Sequence, residues 1–119
     1  MPKRSGALTC GIAAARRNVC SDGRAVALLW NPALRAGRGL GLAIRFDPQQ
    51  LPALFTWRML GHGTYVMGME PANCPTIEGR IEAEKRGTLP FLEAGESRTY
   101  DLEFDLLTNA DEFAALLID

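Results

Sequence analysis

Histidine is almost missing from this chain. His62 stands alone among 119 residues, which leaves little room for imidazole-based acid–base or metal chemistry. Cysteine is scarce and odd in number: Cys10, Cys20 and Cys74. An odd count argues against a closed disulfide framework, and none has a second thiol or histidine at metal-ligand spacing. No metal or redox cofactor is expected. Charge of one sign is also lacking, since the formal net charge is −1 and the pI near 5.8. A chain so balanced has no general attraction for nucleic acid or anionic lipid. No apolar run approaches membrane-spanning length, and repeats and low-complexity linkers are absent. The composition is that of a soluble cytoplasmic domain, large enough to bury roughly two thirds of its extended-chain surface.

The first two dozen residues are locally basic, with Lys3, Arg4, Arg16, Arg17 and Arg24 against Asp22. So short and mixed a segment reads as a solvated tail rather than a phosphate-binding arm. Ala7 to Ala15 is apolar, but Thr9, Cys10 and Gly11 make it a poor signal-peptide core, and no cleavage site precedes Arg16-Arg17. Residues 1–20 are read as a poorly defined N-terminal segment, and 21–119 as one domain.

The remainder reads as β. Arg24 to Trp30 is an apolar strand closed by Asn31-Pro32, and Leu40 to Phe46 a second strand ending at Asp47-Pro48. Between them, Arg35 to Gly39 resembles a phosphate loop only superficially. It lacks the Lys-Ser/Thr sequel, and a strand follows it rather than a helix. Leu54 to Leu60 and Thr64 to Glu70 flank Gly61-His62-Gly63, the signature of a hairpin. Residues 77–86 suggest one or two helical turns, with Ile77 and Ile81 on one face, Glu82 paired to Arg86, and Gly87 as the stop. Glu93-Ala-Gly-Glu makes a turn. A last strand at 98–107 alternates Tyr100, Leu102, Phe104 and Leu106 with Thr99, Asp101, Glu103 and Asp105, which predicts an apolar row on a core and an acidic row in water. Asn109 is placed to cap a helix over 110–117, with Glu112 three residues on as in a capping box. These elements predict an antiparallel β-sandwich-like domain with a short C-terminal helix.

Gly63-Thr-Tyr-Val-Met-Gly-Met-Glu-Pro-Ala-Asn-Cys-Pro concentrates the functional signal. Tyr65, Val66, Met67 and Met69 are strand formers, and Pro71 cannot donate to a ladder, so pairing should end at Glu70. A carboxylate at the lip of a sheet, beside a loop able to wall a cleft, suits a catalytic base. It equally suits a solvated acid at a strand end.

From Asp22 to Leu107 the chain resembles the C-terminal part of the aldose 1-epimerase (galactose mutarotase-like) superfamily, in an uncharacterised bacterial branch. The resemblance rests on Asn31-Pro32, Gly37-Arg-Gly-Leu-Gly-Leu, Leu51-Pro52, Trp57-Arg58, the strand and loop from Gly63 to Asn73, Gly79-Arg80, Gly87-Thr-Leu-Pro-Phe-Leu-Glu-Ala-Gly-Glu and the final alternating strand. It implies a galactose mutarotase-like sandwich, in part, and an isomerase chemistry that inverts the anomeric centre of a cyclic sugar. A base removes the C1 hydroxyl proton while an acid protonates the ring oxygen; the ring opens, rotates and recloses. Glu70 falls on the position of the family's catalytic base. The family's catalytic histidine and substrate-binding arginine belong to a half that precedes the matched region.

Around Glu70, three residues are candidates for substrate binding. Arg80 offers a fork for sugar hydroxyls or a salt bridge to Glu78, Glu82 or Glu84. Asn73 offers a hydrogen bond to a hydroxyl or a stabilised turn. Trp57 offers a stacking face or a core side chain. His62 lies roughly 25 Å of extended strand from Glu70 and reads as a surface turn residue. Cys74 reads as an apolar filler or a reactive thiol. Two functions stay open: a carbohydrate-binding, mutarotase-like enzyme whose remaining groups come from elsewhere, and a non-catalytic remnant that binds sugar weakly or only self-associates. Strands that pair with the missing half in the resembling enzymes would leave exposed edges and an apolar face with Phe55, Trp57 and Tyr65, which predicts a homodimer.

Overall fold

The computed structural model describes residues 18–117. The basic tail, Cys10 and the Ala7–Ala15 stretch lie outside the described residues. The fold is mainly β, with antiparallel sheets and a short C-terminal helix, as the sequence predicts. The chain divides into two compact units. The first, called the split unit below, joins Met1–Arg45 to Leu102–Asp119; the second, the hairpin unit, is Phe46–Asp101.

The split unit is built on a sheet of order β1-β2-β3-β6, from Asn18–Val19, Ala25–Asn31, Leu40–Phe46 and Leu102–Leu107. Flanked on both sides, β2 is an unbroken apolar run, and Ala25, Val26, Ala27, Leu28 and Trp30 are all buried. A strand buried on both faces has no reason to alternate. The short β1 escapes sequence reasoning because two residues, Asn18 and Val19, carry no periodicity. On one face Val26, Leu28, Trp30, Ala43 and Leu107 form the core, with Cys20, Phe113 and Leu116 packed against it.

Trp30 organises this core. Gly39 and Gly41 lie under its indole so closely that a Cβ at Gly39 would sit 2.2 Å from Cζ2, and one at Gly41 2.7 Å from Cε3. The glycine-rich turn is therefore a bed for a tryptophan ring. The ring's cover is Phe113, stacked at 5.3 Å between centroids and 11° between planes. Phe113 belongs to α2, Ala110–Ala115. Asn109 caps that helix as expected: its Oδ1 accepts from the Glu112 amide at 2.9 Å, while the Glu112 carboxylate accepts from the Thr108 amide at 2.9 Å.

The last strand departs from expectation in two ways. It starts at Leu102 rather than near residue 98, and its apolar row points outward. Leu102, Phe104 and Leu106 are exposed, Phe104 by 66%. The acidic row faces arginines instead: Arg24 and Arg45 each reach Glu103 at 2.8 Å, and Arg45 also approaches Asp105 at 3.5 Å. The core on that side is completed by Leu107, which shares the acidic row's parity and is 2% exposed. Alternation gave the period; the arginines set the face that the carboxylates share, and only Leu107 turns in.

The hairpin unit contains β4, Ala53–Gly61, and β5, Thr64–Ala72, joined by His62-Gly63 with Gly63 at φ 77°. Nine cross-strand pairs run from Gly61↔Thr64 to Ala53↔Ala72. Pairing thus passes through Pro71, opposite Leu54, rather than ending at Glu70. A ribbon of two strands has only edges, where a residue without an N–H is tolerated. Helix α1 covers Arg80–Lys85, shorter than the 77–86 segment suggests. Arg86 pairs with Glu82 at 2.9 Å and Gly87 follows at φ 69°, as expected. Ile77 and Ile81 are each 72% exposed, and Ala83 is the buried residue of the helix. The Glu93-Ala-Gly-Glu turn forms, with Glu96 donating its amide to the Glu93 carbonyl at 3.0 Å.

Candidate functional site

Cross-strand register determines which hairpin side chains share a face. Phe55 stands opposite Glu70, Trp57 opposite Gly68, and Met59 opposite Val66. These six positions lie on one face, because side chains alternate along each strand. Trp57, Met59 and Val66 are exposed, Trp57 by 46%. The face is therefore an apolar and aromatic surface with one carboxylate at its end.

Gly68 makes the central contact possible. A Cβ at that position would lie 2.3 Å from Trp57 Nε1, so the indole rests across bare backbone. From there its N–H reaches diagonally along β5 and donates to Glu70 Oε1 at 2.6 Å. The structure thus brings together two of the residues singled out in the sequence, Trp57 and Glu70. Trp57 is not a core side chain; it is a half-exposed ring tethered by its N–H. Among the described residues, Trp57 is the sole hydrogen-bond partner of the Glu70 side chain.

Asn73, just beyond β5, turns to a different partner and donates to the Tyr100 hydroxyl at 2.8 Å. Tyr100 also lines an open depression of about 330 Å³ with Gln49, Gln50, Arg98 and Thr99. Gln50 is held there on both sides of its amide, donating to Asp101 Oδ2 at 2.7 Å and accepting from the Asp101 amide at 2.8 Å. Sequence reasoning missed this polar group, since Gln50 and Asp101 are brought together by the fold across half the chain. Arg80 opens α1, is exposed, and forms neither the anticipated salt bridge nor a hydrogen bond to Glu70 or Asn73. His62 is exposed in the hairpin turn. Cys74 is half-buried, with its thiol 3.8 Å from the Thr76 carbonyl oxygen. Among the described residues no group of three or more His, Cys, Asp or Glu is placed to hold a metal ion. Likewise, no helix there is long and apolar enough to cross a membrane.

With this geometry in place, comparison with known proteins gives one result. Residues 12–106 match the family described as Domain of unknown function (DUF4432). The chain belongs to that family. Its match covers β1 to β5, α1 and nearly all of β6, so the DUF4432 region includes both the Trp30 core and the Trp57–Glu70 pair. No curated protein and no solved structure matches the chain.

Proposed function

We propose that this DUF4432 chain is a carbohydrate-binding, aldose 1-epimerase-like domain that takes a cyclic sugar against the exposed face of its hairpin. The observation that carries this reading is the Trp57–Glu70 pair. A half-exposed indole offers an apolar plate for the C–H face of a sugar ring, and the adjacent carboxylate accepts from its hydroxyls. Glu70 occupies the position at which the mutarotase-like resemblance sets the general base, and the sugar's C1 hydroxyl is its substrate proton. Asn73 and Arg80 are the further substrate-binding candidates, and Tyr100, through Asn73, joins them.

A specific observation favours a second reading, in which sugar is bound but not turned over. Mutarotation needs an acid opposite the base, and among the described residues the one side chain bonded to the Glu70 carboxylate is Trp57, whose indole N–H donates a hydrogen bond but not a proton. The acid would then have to come from another chain or another segment.

NMR with a panel of aldoses separates the two. The epimerase reading expects accelerated exchange between anomers, lost in Glu70→Gln, and sugar affinity about three- to tenfold weaker in Trp57→Ala. Binding without accelerated exchange selects the second reading. Absence of binding to every aldose overturns both.

A further inference from the structure

The outer edge of β6 is the most conspicuous unsatisfied surface of the split unit. β6 ends the sheet order β1-β2-β3-β6, and among the described residues no strand pairs with its outer side. Natural edges are usually blunted by charge, proline or a bulge. This one carries Leu102, Phe104 and Leu106 in an exposed row. Leu102-Glu-Phe-Asp-Leu is also a palindrome in chemical class: apolar, acidic, aromatic, acidic, apolar.

A palindromic edge is complementary to itself when run antiparallel. We infer that β6 pairs with β6 of a second copy about a two-fold axis through Phe104, joining two sheets into one. In that register Phe104 faces its own counterpart and each Leu102 faces a Leu106. All three apolar residues of each chain then gain an apolar cross-strand neighbour on the same face. Sliding by two residues sets a leucine opposite Tyr100 or Thr108, both outside β6, so this register is the one that pairs the whole row within the strand.

The opposite face of the strand is the obvious objection. There Glu103 would stand opposite Asp105 of the other copy, and like charges placed so repel. The structure eases the objection within each chain. Arg24 and Arg45 bond Glu103, Arg45 reaches Asp105, and Asp22 shares Arg24 at 2.7 Å, so three carboxylates share two guanidiniums. The acidic row arrives with most of its charge compensated. Its arginines lie on the same face and can serve either strand, which makes the pairing charge-compatible as well as apolar. This inference is independent of the sugar site, since it uses only residues of the split unit.

Analytical ultracentrifugation of the whole chain at micromolar concentration is the test, with far-UV circular dichroism confirming that each variant stays folded. The expected result is a dimer that Phe104→Lys weakens by at least about tenfold, and that Trp57→Ala leaves unchanged. Cross-linking then fixes the register. In a background of Cys10→Ala, Cys20→Ala and Cys74→Ala, a single Phe104→Cys should oxidise to a covalent dimer, because a residue on the axis meets itself. Leu102→Cys should link to Leu106→Cys on mixing and not to itself. A monomeric wild type means that the edge serves some other chain, and sinks the inference. So does a dimer indifferent to Phe104→Lys, or one in which Leu102→Cys links to itself.

Discussion

Trp30 and Trp57 solve one local problem in the same way and reach opposite ends. Each indole lies over glycine on or just before a neighbouring strand, Trp30 on Gly39 and Gly41, Trp57 on Gly68. In the split unit a helix then brings Phe113 down on the ring, and Trp30 is 6% exposed. In the hairpin unit Trp57 stays 46% exposed, and its N–H is committed to Glu70. A glycine beneath a tryptophan thus marks a seat for the ring, not its burial. What covers the seat decides whether the residue builds a core or a surface able to take a ligand.

The largest effect expected from this contrast is in stability. Trp30→Ala removes a buried ring and leaves Phe113 without its partner, and should cost about 3–5 kcal/mol. Trp57→Ala, from a half-exposed site, should cost only about 1 kcal/mol. Urea titration of the two variants measures both, and similar losses would erase the distinction drawn between the rings.

The glycines themselves sharpen it. A Cβ at Gly41 would lie 2.6 Å from the Leu29 carbonyl oxygen, which belongs to backbone and cannot step aside. Gly41→Ala should therefore destabilise by about 1–3 kcal/mol. At Gly68 the obstacle is Trp57, an exposed side chain free to swing out. Gly68→Ala should leave stability within about 0.5 kcal/mol of wild type while breaking the Trp57–Glu70 bond. The Trp57 indole N–H resonance should move upfield in Gly68→Ala as in Glu70→Gln. An unmoved resonance would show that the bond does not depend on the glycine.

The smallest effect concerns acid and belongs to the split unit. Hydrogen bonds from Arg24, with the charges of Arg45 and Arg24, hold the Glu103 carboxyl below its ordinary value of 4.5. A carboxylate with a lowered folded-state pKa stabilises fully above its unfolded value and loses that contribution as pH falls through the folded one. The protection of β6 amides, taken as exchange rates relative to their intrinsic pH-dependent values, should accordingly be constant above about pH 4.5 and fall below it. Glu103→Gln should remove the pH dependence. Since the ion pairs are half exposed, salt should weaken them as well.

Most of this fold was legible because its strands are bounded by strong stops. Asn31-Pro32, Asp47-Pro48 and His62-Gly63 delimit β2 to β5, and Asn109 with Glu112 announces α2. The hidden parts are those that depend on a second element. The direction faced by β6 is decided by Arg24 and Arg45, both remote in sequence from Glu103. The Trp57–Glu70 bond follows only from hairpin register, although Gly68, alone inside a strand of bulky residues, signals that something lies close above it. Asn73 turning to Tyr100, and Gln50 to Asp101, leave no mark in either local pattern.

The split unit also has a history in time. Arg45 and Glu103 are 58 residues apart, Arg24 and Glu103 79, and every residue of the hairpin unit is made between them. On the ribosome, where synthesis proceeds at roughly 5–20 residues per second, β4 and β5 can zip around His62-Gly63 within microseconds of emerging. Trp30, translated earlier, waits on the order of ten seconds for Phe113 to appear. Through that interval its outer ring face is bare, and β2 and β3 lack the strand that completes their sheet. The Trp30 core is therefore the last to close, and a nascent chain stalled before α2 would be the form most in need of a chaperone.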